Sequence, residues 1–247
     1  MSDPTIFHFH LFKNAGTSVD ALLRQSFPGS WEQREFKGSK AEIKLQTVQW
    51  FNTNHNLNAF SSHTAIYLKL MDSIRNFLPI IFVRQPLDRI ESVFEFECRQ
   101  EDNSFGSNLA RENGLVDYVM KRNRVDRQCR NFHVTRFNQT LDKESGNSLE
   151  DALTAMNQFP VVGVVDRFAD SMDLYRHHAA KLGLSIASNE VHLNTTRETS
   201  TSLVERLAKL KERIGTTAFE HIEQENLDDL HLYNSAVLRL ERQHSEL

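Results

Sequence analysis

Residues 6–23 (IFHFHLFKNAGTSVDALL) constrain the chain more than any other stretch, because they read as a strand, a tight loop and a helix in immediate succession. Ile6, Phe7 and Phe9 are β-formers, Gly16 lets a backbone approach a ligand, and Val19, Leu22 and Leu23 form an apolar helical stripe. The helix-start amides, the helix dipole, the hydroxyls of Thr17 and Ser18 and the Lys13 ammonium would then converge on one anion. A phosphate is the natural guest. The ATP-binding P-loop requires two glycines with four residues between them, then Lys and Ser or Thr directly after the second. Here Lys13 precedes the single Gly16, so the lysine reaches the anion from the strand side of the turn.

A second element has the same character. Residues 79–94 (PIIFVRQPLDRIESVF) run from a continuous apolar strand into Arg84, then Pro86, then a helical pattern carrying Ser92. An arginine at the carboxyl end of a strand forms charge-assisted bonds to phosphate, and a serine two helical turns along adds a hydroxyl. For Arg89 two readings stand side by side, a ligand contact and a structural salt bridge.

The order Lys13, Asn14, Ala15, Gly16, Thr17, Ser18 resembles the phosphosulfate-binding loop of sulfotransferases, specifically the carbohydrate 2-O-sulfotransferase-like group and its bacterial relatives. Arg84 and Ser92 resemble that family's 3′-phosphate element, with Gln85 standing where the family usually has Asp. The likeness continues through residues 127–137, residues 159–174 and residues 192–197, where Thr195, Thr196 and Arg197 resemble a late loop that closes over the nucleotide. The resemblance implies a three-layer α/β fold, a parallel sheet flanked by helices of the P-loop-NTPase-like sulfotransferase type. It implies 3′-phosphoadenosine 5′-phosphosulfate (PAPS) as donor and a hydroxylated small molecule or carbohydrate as acceptor. Two separated cradles suit PAPS better than ATP, since PAPS carries isolated charge at its 3′ and 5′ positions. Lys13 would stabilise charge on the leaving oxygen. The family often places a catalytic histidine between the two elements, where this chain has His63 in residues 60–66 (FSSHTAI). His63 is the candidate base, with Glu95 and Glu97 behind it. This chemistry calls for no metal. His8 and His10 share one face of the first strand, but no third ligand is identifiable and packing is the expected role. The alternatives are an ATP-dependent phosphotransferase on a related fold and a noncatalytic nucleotide-binding protein.

At 247 residues and 39% hydrophobic content, a single domain over residues 1–247 is expected. A net charge of −4 and a pI near 6.3 disfavour nucleic acid as partner. A local basic cluster (Lys121, Arg122, Arg124, Arg127, Arg130, Arg136) admits either a solvated helix face or an acceptor- or cofactor-facing role. Cys98 and Cys129 form no disulfide framework or zinc pattern. No secretory leader and no window of roughly 20 apolar residues is visible, so a cytoplasmic protein without a membrane span is expected. Expected strands cover residues 5–11, 59–62, 80–83 and 161–165. Expected helices cover residues 18–26, 65–77, 87–99, 115–121, 149–158 and 168–182, with a helical C-terminal region over 202–246 docked on the core. Residues 31–45 and 101–114 read as surface loops that help build the acceptor pocket. Oligomeric state is open.

Overall fold

A computed structural model describes residues 4–141, 148–188 and 201–247. The elements run β1 (Thr5–Phe9), α1 (Gly16–Ser26), β2 (Trp31–Gln33), α2 (Lys40–Thr53), β3 (Ala59–Ser62), α3 (Met71–Ile74), β4 (Phe77–Val83), α4 (Pro86–Arg99), α5 (Phe105–Glu112) and α6 (Leu115–Arg122). They continue with α7 (Phe132–Asn138), α8 (Leu149–Met156), β5 (Gly163–Val164), α9 (Phe168–Lys181), α10 (Leu203–Ile214), α11 (Thr216–Glu225) and α12 (Leu227–His244). The strands form one parallel sheet in the order β2-β3-β1-β4-β5. This is the helix-flanked α/β architecture expected from strands alternating with helices. Among the described residues no helix is long and apolar enough to cross a membrane.

The topology assigns a helix to each face. The step from β1 to β2 and the step back from β2 to β3 run in opposite directions, so right-handed crossovers put α1 and α2 on opposite sides. The side chains of β1 follow suit. Phe7 packs against Trp50 and Phe51 of α2 and stacks on Phe60 of β3, whereas His8 and His10 point to Asp20 of α1. The α2 side is an aromatic core continued by Phe9, Tyr67, Phe77 and Phe159, each fully buried ring contributing about 1.5–3 kcal/mol. A second cluster packs Leu87, Ile90, Val93 and Phe94 of α4 against Tyr118 and Val119 of α6 and Leu210, Phe219 and Ile222 of α10 and α11.

Several local expectations are corrected. Residues 31–45 are not one loop: Trp31–Gln33 joins the sheet edge, and a Ser39–Glu42 capping box starts α2. Residues 101–114 contain α5, capped by Ser104. Residues 65–77 yield only the single turn α3, because Ala65, Ile66, Tyr67 and Leu68 are all buried in succession and no helix face stays polar. β4 begins earlier than expected and includes Pro79, tolerated because β5 pairs only with Phe82 and Val83 and leaves that flank of Pro79 without a ladder. The basic cluster divides: Lys121, Arg124, Arg127 and Arg130 are exposed, as on a solvated face, whereas Arg122 is buried between Glu97 and Asp126 and Arg136 is half-buried.

The C-terminal helix docks on the core as expected, and it caps another helix. Asn131, the residue before α7, has a left-handed backbone and no capping side-chain bond of its own. Asp229 of α12 instead accepts from the His133 and Val134 amides at 3.0 and 2.8 Å, and from His133 Nδ1 at 3.0 Å. Burial alone would push the Asp229 carboxyl up, but these bonds hold it below the ordinary carboxylate range. Asp229→Ala leaves three buried donors without an acceptor. It is expected to cost about 3–5 kcal/mol in urea unfolding with the m-value unchanged, and a loss under about 1 kcal/mol would show that α7 does not depend on this cap.

Candidate functional site

The chain leaves β1 and β4 in opposite directions across the sheet, which makes their carboxyl ends the switch point where such sheets open a ligand crevice. The loop of residues 10–15 and Arg84 flank that point. His63 follows the end of neighbouring β3. Lys13 (φ 62°) and Ala15 (φ 59°) both hold left-handed conformations without being glycine, so the loop is a tight, strained turn. Ala15 gives α1 no side-chain cap, and the first turn of α1 has no acidic residue. The Gly16 and Thr17 amides therefore open an electropositive helix mouth. Thr17 is exposed, Ser18 is half-buried, and Lys13 Nζ lies 4.6 Å above the ring of Phe96.

Three supports hold this loop. Arg84 Nη1 donates to the Lys13 carbonyl at 3.1 Å. Asn14 is buried; its amide donates to the Phe12 carbonyl at 3.0 Å, and its Oδ1 meets His133 Nε2 at 2.9 Å, so Asp229 braces the loop through His133. Asn14 is thus a strut and not an anion contact. The third support lies beneath. A Cβ on Gly16 would fall 1.9 Å from His10 Cδ2, so Gly16 is required by the imidazole packed on it. Its backbone is not left-handed, and the close approach expected there is made by His10.

His10 belongs to a buried polar network. Asp20 Oδ1 meets His8 Nδ1 at 2.7 Å, and Asp20 Oδ2 meets His10 Nδ1 at 2.8 Å. Among the described residues these three also have donor atoms within 4.8 Å of one another, so Asp20 is the third potential metal ligand that the two histidines alone did not reveal. The imidazoles are near parallel with centroids 5.1 Å apart, and each Nδ1 faces its own carboxylate oxygen. That is the geometry of a carboxylate bridging two rings by hydrogen bonds. Burial lowers the His10 pKa to about 4, against the Asp20 hydrogen bond that raises it, and Asp20 is held below the carboxylate range by the two imidazoles despite its own burial.

His63 lies against His10, with ring centroids 3.7 Å apart and planes tilted by 31°, which brings it beside the loop. It is 38% exposed, and its Nδ1 lies 2.7 Å from Glu35 Oε1. Arg136 Nη2 donates to the His63 carbonyl at 3.1 Å. Burial, countered in part by Glu35, lowers the Arg136 pKa to about 10.

The second element is more internally committed than its pattern suggested. Arg84 Nε pairs with Asp88 at 2.5 Å, and Arg206 of α10 binds the same carboxylate at 2.8 Å and Asp166 at 2.6 Å. Burial would raise Asp88, but the two guanidiniums hold it below its ordinary value. Gln85 caps α4 by accepting from the Asp88 amide at 2.9 Å. Arg89 is structural: fully buried, with its pKa lowered to about 10 by that burial, it stacks 3.9 Å over Phe132 and donates to the Phe12 and Gln128 carbonyls. Ser92 is half-buried on α4. Glu97 is enclosed by Tyr118 and Arg122, and Glu95 lies 3.7 Å from Arg213, so neither faces the crevice as an open base. Thr195, Thr196 and Arg197 lie outside the described residues.

Asp20, Glu35 and His133 were not singled out from the sequence, whereas Arg136 was named only as one of a basic cluster. Asp20 left a trace, because it sits four residues after Gly16 on the helix face that carries Val19 and Leu23, and a carboxylate on an apolar stripe needs a partner.

Fold and site together define an α/β protein with a candidate anion-binding loop at the switch point of a parallel sheet. No protein-family model matches the chain. An uncharacterized protein of Archaeoglobus fulgidus is 32% identical over 249 residues, spanning 96% of this chain and 97% of that protein. The chain belongs to the same family as this archaeal protein.

The His10–Gly16 contact predicts a non-additive pair. Gly16→Ala alone is expected to cost about 1–3 kcal/mol or more by overpacking, and much less in a His10→Ala background, read by urea unfolding of the four proteins. Equal costs in both backgrounds would remove His10 as the reason for the glycine. A pH series tests the network separately. Because burial keeps folded His10 neutral down to about pH 4, the unfolded chain binds its proton first. Stability is then fully present above pH 6.5 and falls by on the order of 3 kcal/mol as the pH drops from 6.5 to about 4, a loss that His10→Gln flattens.

Proposed function

We propose that this protein is a PAPS-dependent sulfotransferase on a P-loop-NTPase-like fold, moving a sulfuryl group to a hydroxyl of a carbohydrate or glycoconjugate acceptor in the cytoplasm. The observation that carries the reading is convergence: an uncapped helix mouth with Lys13, an arginine bonded to that same loop, and a histidine beside it, all at the carboxyl ends of adjacent parallel strands. The 5′-phosphate of the donor sits on the Gly16 and Thr17 amides with the Thr17 and Ser18 hydroxyls. Arg84 and Ser92 take the 3′-phosphate. The acceptor oxygen attacks sulfur in line. As the new S–O bond forms, the bond from sulfur to the bridging oxygen breaks, its electron pair stays on the 5′-phosphate, and Lys13 stabilises that charge. His63 takes the acceptor proton. Side chains and helix amides meet the donor's charge, so the step requires no metal.

Calorimetric titration with adenosine 3′,5′-bisphosphate, the product nucleotide, beside ATP with magnesium tests this directly. Selective binding of the bisphosphate is expected, weakened roughly tenfold to hundredfold by Arg84→Ala. Lys13→Ala is expected to abolish transfer from PAPS while retaining part of the nucleotide affinity. Binding of ATP without the bisphosphate would transfer the site to a phosphotransferase reading.

A further inference from the structure

The sheet face beneath α1 carries polar side chains where a parallel sheet ordinarily buries aliphatic ones. Trp31 Nε1 donates to Ser61 Oγ at 3.2 Å, Ser61 Oγ lies 3.4 Å from His8, the Asp20 bridge follows, and the row ends in His10, His63 and Glu35. Glu35 lies two residues beyond β2. Its carboxylate accepts from the His63 and Thr64 amides at 3.1 Å, from the Thr64 hydroxyl at 3.0 Å and from His63 Nδ1 at 2.7 Å.

We infer that Glu35 is a positioning residue for His63: by accepting from Nδ1–H it holds the imidazole in the tautomer whose Nε2 lone pair takes the proton of the acceptor hydroxyl. The inference rests on the sulfuryl-transfer reading of the same site. The main-chain and hydroxyl bonds staple the turn after β3. The bond to Nδ1 acts on the ring itself, whose orientation and tautomer it controls.

Glu35 Oε1 lies closer to His63 Nδ1 (2.7 Å) than Gln33 Nε2 does (3.3 Å), and the Gln33 amide, 3.4 Å from the same Oε1, can donate to the carboxylate and leave Nδ1 to Glu35. His63 faces His10 from β1, Glu35 and Gln33 from the segment at and after β2, and Arg136 from α7. Burial keeps His10 neutral, so the ring against His63 adds no positive charge when His63 gains a proton. Burial would raise Glu35, but its bonds from His63 and Thr64 hold it at about 2, so the carboxylate stays charged and answers the imidazolium that forms. The Arg136 guanidinium is bonded to the His63 carbonyl and steadies the backbone. Proton and electrons balance: the hydroxyl proton passes to His63 Nε2, and the leaving 5′-phosphate keeps the electron pair of the broken bond.

The test is the imidazole 15N spectrum of the whole protein at neutral pH, with the His63 signals assigned through His63→Gln, together with steady-state transfer from PAPS. The wild type is expected to show His63 as the Nδ1–H tautomer. In Glu35→Gln the amide can donate to Nδ1, so the Nε2–H tautomer should grow in. kcat should fall by roughly a hundredfold while bisphosphate affinity stays within about twofold, and Glu35→Asp should recover part of the rate. An Nε2–H tautomer in the wild type overturns the inference, as does an active Glu35→Gln protein with unchanged kcat. The wild-type spectrum needs no variant, so it decides the point even if Glu35→Gln fails to fold. A wild type that transfers nothing to any hydroxyl acceptor ends the transfer reading itself, an outcome distinct from an active enzyme indifferent to Glu35.

Discussion

One buried carboxylate, Asp20, sets the geometry on which the rest of the candidate site depends. It joins α1 to β1 through two imidazoles at once, His8 and His10, where a parallel sheet would ordinarily be held to its helix by aliphatic packing. A buried charge of this kind is tolerated only when its lone pairs are met. The bridge fixes how α1 lies on the sheet, and His10, locked by it, fills the space left by the missing side chain of Gly16. The helix mouth, the loop and the histidine beyond follow from that contact.

The loop itself costs conformational energy, since Lys13 and Ala15 occupy left-handed regions that glycine fills more readily, at about 1–3 kcal/mol each. It persists because the surroundings determine it from three sides. His10 lies beneath, Arg84 bonds the Lys13 carbonyl from β4, and Asn14 is braced by His133 and Asp229 near the other end of the chain. A site built at the first strand therefore depends on the last helix. The same economy governs Arg84, whose charge is shared between Asp88 and the loop, and Asp88 is in turn held by Arg206. These guanidinium–carboxylate contacts connect α4 to α10 and place a cation at the switch point.

The main architecture was legible because it is written in short-range patterns. The apolar runs at β1 and β4, the alternation of strand and helix, and the periodicity of α1, α4 and α9 reach the eye without tertiary knowledge. What escaped were elements whose periodicity is masked. α2 mixes aromatic and polar residues along its length, and β2 is only three residues long and mostly exposed. The site divided in the same way. Lys13 through Ser18, Arg84 and His63 follow strand ends and carry recognisable chemistry. Asp20, Glu35, His133 and Asp229 acquire theirs only from partners 10 to 96 residues away.

The sequence by itself therefore determined the layered α/β class, the loop between β1 and α1, and which charged groups are available near strand ends, because each depends on neighbours within a turn or a strand. Only the tertiary structure decided which of those groups are spent. It showed Asn14 and Arg89 as struts, Gly16 as the seat of an imidazole, Glu97 as enclosed, and Glu35 as the partner of His63. Hydrogen bonding and burial act over ångströms in space and are indifferent to separation along the chain. For that reason the role of a polar side chain cannot be read until its neighbours are known.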